Sequence, residues 1–405
     1  MTTPMGNGGF SAARLGRLSE GMQGFVDRGV VTGVVTLVHR HGVEAHCDVL
    51  GFQDEEARQP MRRDTIFRIA SMTKPIVSVA TLMLLEEGRL RLDDPIERWL
   101  PEFANPRVLL DPAGPLDDTR PAARSITVLD LLTHLPGIVS RFSAEGPIAT
   151  ASAELNLPTG FALQGSSPDE WLARLGALPL VFEPGERMNY GYTTDVLGFL
   201  IARAADMPLE RFLATRLLEP LGMVDTAFWV PAEKMARFPV AHAIDPTDGQ
   251  RVVFDHPSNS HWARAPAIPS GAGGLVSTAD DYMRFARMLL SGGRFGSERI
   301  LSRKAVELMT TDFLTPAQRA MLFFGWDMWG ARGFGLGVAI VDRPAGQGGL
   351  GSLGRYGWGG AFGTAWSNDP KEGMAAIMMV QLLVGMATPA MEEDFLNLVY
   401  QAIDD

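Results

Sequence analysis

The chain carries a single cysteine, Cys47, so no intrachain disulfide can form and nothing in the sequence requires an oxidising compartment. It has no unbroken apolar run of membrane-spanning length. The longest tract, Met374 to Met391, is interrupted by Gln381, Gly385 and Pro389, and reads as a buried strand and a turn. Met1 to Phe10 lack the basic start and apolar core of a secretory signal, and the expectation is a cytoplasmic protein. Basic residues are not in excess: the net charge of -11 argues against nucleic acid and anionic membranes as partners and leaves small neutral substrates open. Nor is there a G-x-S-x-G string, which excludes the nucleophile elbow of α/β-hydrolases. Internal repeats and long low-complexity tracts are absent, and oligomeric state is left open.

The balance of 46% hydrophobic and 20% charged residues is that of a globular protein, and 405 residues exceed what one core usually serves, so two structural domains are expected. An amphipathic helix with Leu15, Leu18, Met22, Phe25 and Val26 on one stripe ends at Gly29. Val34–Val38 and Val43–Leu50 read as a hairpin around Arg40-His41-Gly42, with Cys47 a buried or half-buried strand residue. Between about 126 and 290, short helical patterns alternate with loops. Strand signals return at Gly333–Val341, Ala361–Ser367 and Met374–Leu383, and a last helix carries Phe395, Leu398, Val399 and Ala402. The expected fold is therefore α+β: an antiparallel sheet flanked by N- and C-terminal helices, built from residues 1–100 and 290–405, with a mainly helical domain at 101–289 inserted and the active site at their interface.

The most informative string is Ser71-Met72-Thr73-Lys74, at the mouth of a helix that is apolar nearly all round from Ile76 to Leu85. Residues three apart share a helix face, so an amine at 74 can reach a hydroxyl at 71. Pro75 is compatible with a first helical turn. A serine hydroxyl is a weak nucleophile until a positioned base takes its proton. An ordinary lysine, with a pKa of ~10.4, is protonated at neutral pH and cannot serve. The dipole of a helix start disfavours a cation by only ~0.3–1 kcal/mol, so desolvation or a second titratable group must do most of the work. Tyr190, after the Pro184-Gly185 turn and before a helix opened by Thr193 or Thr194, is such a group. A third element, Gly357-Trp358-Gly359-Gly360-Ala361, has glycines that let backbone approach a ligand and aim an N–H at a developing oxyanion. Each element alone has a plainer explanation: a solvated helix start, a tyrosine packed under a turn, a glycine-rich strand with a packed tryptophan.

Jointly, in this order, the three resemble the serine β-lactamase and penicillin-binding protein superfamily, and most closely the family VIII carboxylesterases, which are similar to class C β-lactamases. Leu131-Leu132-Thr133-His134-Leu135-Pro136-Gly137-Ile138 and Gly271-Ala272-Gly273-Gly274-Leu275-Val276-Ser277-Thr278 extend the resemblance over nearly the whole chain. It implies Ser71 as the acylated nucleophile, Lys74 and Tyr190 as a coupled base, and backbone N–H groups of Ser71 and Ala361 as the oxyanion hole. It also implies a substrate-facing set of Trp358, Gly359, Gly360 and Tyr192, with no metal and no cofactor.

Two departures bear on the substrate. Trp358-Gly359-Gly360 stands where β-lactamases carry K-T-G, and Tyr190-Gly191-Tyr192 where the family has Y-x-N, so a cation and an amide suited to a β-lactam are gone. Arg355, three residues before Trp358, is placed to restore a positive charge, which leaves weak β-lactam hydrolysis open. The expected activity is hydrolysis of short-chain carboxylic esters through an acyl-serine, with a small-molecule ester as substrate. The alternatives are a β-lactamase or D-amino-acid peptidase, an acyltransferase using the same acyl-enzyme, and a non-catalytic ligand-binding relative. The segment Ser140–Pro168 is expected to border the cleft and limit acyl length. Gly346–Gly351 matches G-x-G-x-x-G without a strand before it or a helix after, which argues against a dinucleotide site. His39, His41 and His46 read as exposed hairpin residues, and His134 as a structural hydrogen-bonding residue.

Overall fold

The computed structural model describes residues 7–140, 142, 144–154, 167–320, 327–330, 332–343, 349–383 and 390–405. Its centre is an eight-stranded sheet drawn from the two ends of the chain. In chain order the strands are β1 (Gly33–Arg40), β2 (Val43–Asp54), β3 (Gln59–Pro60), β4 (Gly333–Phe334), β5 (Ala339–Ile340), β6 (Tyr356–Gly359), β7 (Ala365–Asp369) and β8 (Met374–Met379). Across the sheet the order is β4-β5-β6-β7-β8-β1-β2-β3, antiparallel throughout. The seam between the early and late strands is β1 against β8, with Leu37 opposite Ile377.

Side chains on a strand alternate between faces, and the central strands use both. Val34 and Val38 of β1, with Met374, Ala376 and Met378 of β8, pack under helices α1 (Ala12–Asp27) and α5 (Met391–Tyr400). Val35 and Leu37, with Ala375, Ile377 and Met379, face a larger core that includes α2 (Thr73–Glu86), α3 (Thr193–Ala205) and α4 (Ala279–Leu290). Helix α2 is buried on every side from Thr73 to Leu84, as an all-apolar pattern requires, and Gly88 with φ 70° follows its end. The middle of the chain is mostly short helices. Helix α4 falls there by position, yet it packs on the sheet. No helix among the described residues is long and apolar enough to cross a membrane.

Three expected strands differ in extent. The run Gly333–Val341 is two short strands, because Gly335 N–H donates to the Val338 carbonyl (2.8 Å) and Gly337 takes φ 83°, folding it into a hairpin. Residues 361–364 form a turn, and β7 begins only at Ala365. The tract Met374–Met391 contains β8 and the short strand Leu382–Leu383, while 384–389 lie outside the described residues. A further hairpin, Ala241–Ile244 with Arg251–Asp255, pairs in parallel with Leu382–Leu383.

Candidate active site

Ser71 sits in a single 3₁₀ turn, Ala70–Met72, that runs directly into α2. Ala70 adopts a left-handed φ of 42°, a conformation that costs a residue bearing a Cβ roughly 1–2 kcal/mol. Such strain persists only where the surroundings over-determine it. Here Ile69 N–H donates to the Leu275 carbonyl (3.2 Å), Leu275 N–H to the Thr73 hydroxyl (3.2 Å), and the Tyr282 hydroxyl to the Met72 carbonyl (2.9 Å). Behind the turn, Arg68 is fully buried. Its Nε donates to Asp255 (2.9 Å), its Nη1 to Gln381 Oε1 and the Pro239 carbonyl (both 2.9 Å), and the guanidinium lies 3.8 Å from the Phe238 ring centroid. Burial pushes the Arg68 pKa down to about 10, against the opposing pull of Asp255.

Lys74, one helical turn after Ser71, is 3% exposed. Its Nζ is 3.1 Å from Ser71 Oγ and 2.6 Å from the Ala272 carbonyl oxygen. The same nitrogen lies 4.4 Å from the centroid of the Tyr190 ring. Tyr190 is held by stitching between its own segment and the loop 134–140. Asn189 N–H donates to the His134 carbonyl (2.8 Å), Asn189 Nδ2 to the Ile138 carbonyl (2.7 Å), and the Ser140 hydroxyl to the Tyr190 carbonyl. Gly137, at φ 74°, has no space for a Cβ, which would stand 2.0 Å from the Phe182 carbonyl oxygen.

The phenol oxygen of Tyr190 accepts a hydrogen bond from Trp358 Nε1 at 3.3 Å. Trp358, on β6, belongs to an apolar group with Leu314, Trp329 and Phe334, against which Met188 and Tyr190 pack. Beyond Gly359 the chain turns sharply, with Gly360 N–H donating to the Thr364 carbonyl (2.7 Å) and Gly363 N–H to the Gly360 carbonyl (2.9 Å). A Cβ on Gly360 would lie 2.3 Å from the carbonyl oxygen of Ile69, so only glycine lets this turn press on backbone two residues before Ser71. Ala361 follows at the tip, and its N–H donates no hydrogen bond within the described residues.

His134 is 1% exposed, with its ring 4.8 Å from that of Tyr190 and 5.5 Å from that of Phe334, and a left-handed backbone at φ 59°. Burial first, and then the Lys74 charge, hold its pKa well below the usual imidazole value, so it stands neutral beside the amine. Its Nδ1 has no hydrogen-bond partner among the described residues. The expected structural hydrogen-bonding residue bonds through its backbone carbonyl, while its imidazole packs against Tyr190 and Phe334.

Of the residues singled out in the sequence, the structure gathers Ser71, Lys74, Tyr190 and Trp358 in direct contact, with Gly359, Gly360 and Ala361 alongside. Tyr192 goes elsewhere. It is buried in the main core, edge-on to Trp171 at 6.0 Å between ring centroids. Arg355 does not supply the missing cation, because its buried guanidinium bonds the Leu350 carbonyl (3.2 Å) and lies 5.7 Å from the Tyr400 ring centroid. The hairpin histidines are also corrected: only His41 is exposed. His46 Nε2 lies 3.0 Å from Asp48, His39 is partly covered beside Glu44 at 3.6 Å, and burial lowers the His39 pKa. A β-bulge between Val38 and His39 shifts the register, so His46 sits opposite Val38. Gly346-Gln347-Gly348 and most of 155–168 lie outside the described residues, although Phe142, near the start of the Ser140–Pro168 segment, has its ring 6.4 Å from that of Tyr190. Sequence reasoning missed Ala272 and Asp195. The first lies inside the quoted Gly271–Thr278 string; the second had no motif to mark it.

An antiparallel sheet between terminal helices, with an S-x-x-K serine at the start of a helix buried against it, defines a β-lactamase-type fold of serine hydrolases. The chain belongs to the Beta-lactamase family, whose pattern matches residues 18–401. Protein Rv1367c of Mycobacterium tuberculosis is 43% identical over 358 residues, covering 88% of this chain and 87% of that one. Esterase EstB of Burkholderia gladioli is 33% identical over 373 residues, covering 89% and 88%. Among solved structures, EstCE1, titled a hydrolase with promiscuous acyltransferase activity, superposes with a TM-score of 0.78 at 26% identity, covering 97% of this chain and 99% of that one. The likeness to family VIII esterases inferred from the motifs therefore holds.

Proposed function

We propose that this protein is a serine esterase that hydrolyses short-chain carboxylic esters through an acyl-Ser71 intermediate. The observation that carries the reading is the 3.1 Å contact of Lys74 Nζ with Ser71 Oγ, inside a site where the Tyr190 ring covers the amine. Ser71 Oγ attacks the ester carbonyl while its proton passes to the Lys74–Tyr190 pair. The tetrahedral oxyanion is met by the N–H groups of Ser71 and Ala361. The pair then returns the proton to the departing alkoxide, and the reverse sequence with water releases the acid. The contributing residues come from both expected parts of the chain, Ser71 and Trp358 from the sheet-bearing part and Tyr190 from the helical insertion, which supports a cleft between them.

Trp358 and the rings packed with it supply an apolar, uncharged wall, and Arg355, engaged at the Leu350 carbonyl and beside Tyr400, does not compensate, which favours an ester over a β-lactam carboxylate. Ser71→Ala should abolish p-nitrophenyl ester hydrolysis with the fold intact, and intact-mass measurement of the wild type after a slow acylating ester should place the adduct on Ser71. A variant that stays active, or an adduct elsewhere, removes Ser71 from the mechanism. A second reading, acyl transfer, is favoured by that apolar wall and by the promiscuous acyltransferase activity of the structurally similar EstCE1. Adding an alcohol and analysing products separates the two, since an esterase yields acid and a transferase yields the new ester.

A further inference from the structure

Asp195 is a buried carboxylate that the mechanism above leaves without a task. It lies in the first turn of α3, five residues after Tyr190, and is 3% exposed. A carboxylate taken out of water must be paired or hydrogen-bonded to be tolerated. Its Oδ1 accepts the Ser270 hydroxyl at 2.7 Å and the Ala272 N–H at 3.0 Å. Ala272 in turn presents its carbonyl oxygen to Lys74 Nζ at 2.6 Å. Between the two bonded residues, Gly271 has no room for a Cβ, which would stand 2.5 Å from the Thr194 carbonyl oxygen. The segment 270–272 is therefore pressed onto the start of α3 and clamped there by Asp195.

The direction of these bonds matters for proton transfer. A carbonyl oxygen can only accept. A neutral amine has two N–H groups and one lone pair, and a lysine head group rotates freely unless something fixes it. With one N–H committed to Ala272, free rotation is reduced to settings in which either the second N–H or the lone pair faces Ser71 Oγ at 3.1 Å, and the second of these is the one proton transfer from Ser71 requires.

We propose that Asp195 is a positioning residue for Lys74: by locking Ala272, it sets which way the amine hydrogens point and so aims the lone pair at Ser71 Oγ. The inference rests on the esterase reading in taking Lys74 as the acceptor of the Ser71 proton. Because Tyr190 leads into α3 and Asp195 stands in its first turn, one helix start fixes both partners of the base.

Two substitutions divide the effect. Asp195→Asn keeps an acceptor oxygen and removes the charge, whereas Asp195→Ala removes both. With p-nitrophenyl butyrate, Asp195→Ala is expected to lower kcat by about 10- to 100-fold, the scale of outer-shell partners of a reacting group, with KM within about twofold. Asp195→Asn should keep most of the kcat, with the acid limb of its kcat/KM profile moved to lower pH, because a negative charge near the amine is gone. The chain has four lysines, so 13Cε-lysine labelling reads the Lys74 titration by NMR without any substrate, and its midpoint should move the same way in Asp195→Asn. A folded Asp195→Ala variant with unchanged kcat overturns the proposal, as does an Asp195→Asn variant whose Lys74 resonance titrates like the wild type. If Asp195→Ala does not fold, the Asn variant decides alone. A wild-type chain that turns over no ester sinks the esterase reading, and the NMR titration still tests the coupling of Asp195 to Lys74.

Discussion

The indole N–H of Trp358 is aimed at the hydroxyl oxygen of Tyr190, 3.3 Å away. An indole nitrogen can only donate, so the phenol oxygen is the acceptor. Where the related β-lactamase motif has a lysine, this chain thus has a neutral group that still supplies a hydrogen to the Tyr190 oxygen.

Trp358→Phe keeps the aromatic area and deletes the donor. A hydrogen bond between neutral groups is worth about 0.5–1.5 kcal/mol, so kcat/KM at neutral pH should fall by roughly 2- to 10-fold. The check is steady-state ester hydrolysis by the variant. An unchanged kcat/KM would mean that the tryptophan only packs.

Gly360→Ala places a methyl 2.3 Å from the Ile69 carbonyl oxygen and from the Thr364 hydroxyl. Neither can retreat without moving the turn beside Ala361 or the backbone that carries Ser71. Activity should therefore fall by at least about 100-fold, the scale reported for a displacement of about 1 Å at a reacting centre. Thermal melting together with ester turnover checks it, and an active variant would show that the two backbones have slack.

Asp255→Ala leaves Arg68 buried without its counter-ion. Breaking a buried pair from one side costs about 3–5 kcal/mol, and the Ser260 hydroxyl, 2.7 Å from the same carboxylate, loses its acceptor as well. Denaturant unfolding should show the destabilisation directly. A loss under about 1 kcal/mol would mean that Gln381 and the Pro239 carbonyl satisfy Arg68 unaided.

His134, His39 and His242 all have pKa values lowered chiefly by burial. For a base with a depressed folded pKa, the unfolded chain takes up protons first, starting near the free imidazole value of about 6.5. The stability contributed by keeping these rings neutral is complete above that value and is lost as the pH falls below it. Unfolding free energy should therefore drop between pH 7.5 and pH 5, and less steeply in His134→Asn, which tolerates the left-handed backbone and has no imidazole. Denaturation curves at the two pH values test it, and an identical slope in the variant would remove His134 from the effect.

Much of this was legible in the residues. An all-apolar helix behind S-x-x-K has to be buried, and α2 is; the hairpin and the two terminal helices follow from period-two and helical patterns whose apolar stripes land on the sheet. What could not be read was direction. Tyr190 and Tyr192 are two residues apart at the entry to one helix, and only packing decides that the first meets Lys74 while the second meets Trp171. The histidines failed for a related reason, since alternation assigns a face without saying that a bulge shifts it or that a neighbouring element covers it. Asp195 was invisible because its partners are a hydroxyl and a backbone N–H more than seventy positions away, and a carboxylate among helix-forming residues carries no pattern of its own.

The seam at which Leu37 meets Ile377 also governs how the molecule comes into being. During synthesis, β1 and its neighbour β2 emerge well before β8, so the edge of β1 that β8 will cover stays bare until the chain through Met379 has left the ribosome. Unprotected edges of that kind invite pairing with other chains. The strand that shields it arrives just after the loop bearing Ala361, so on the proposed mechanism chemical competence and protection from aggregation are acquired almost together.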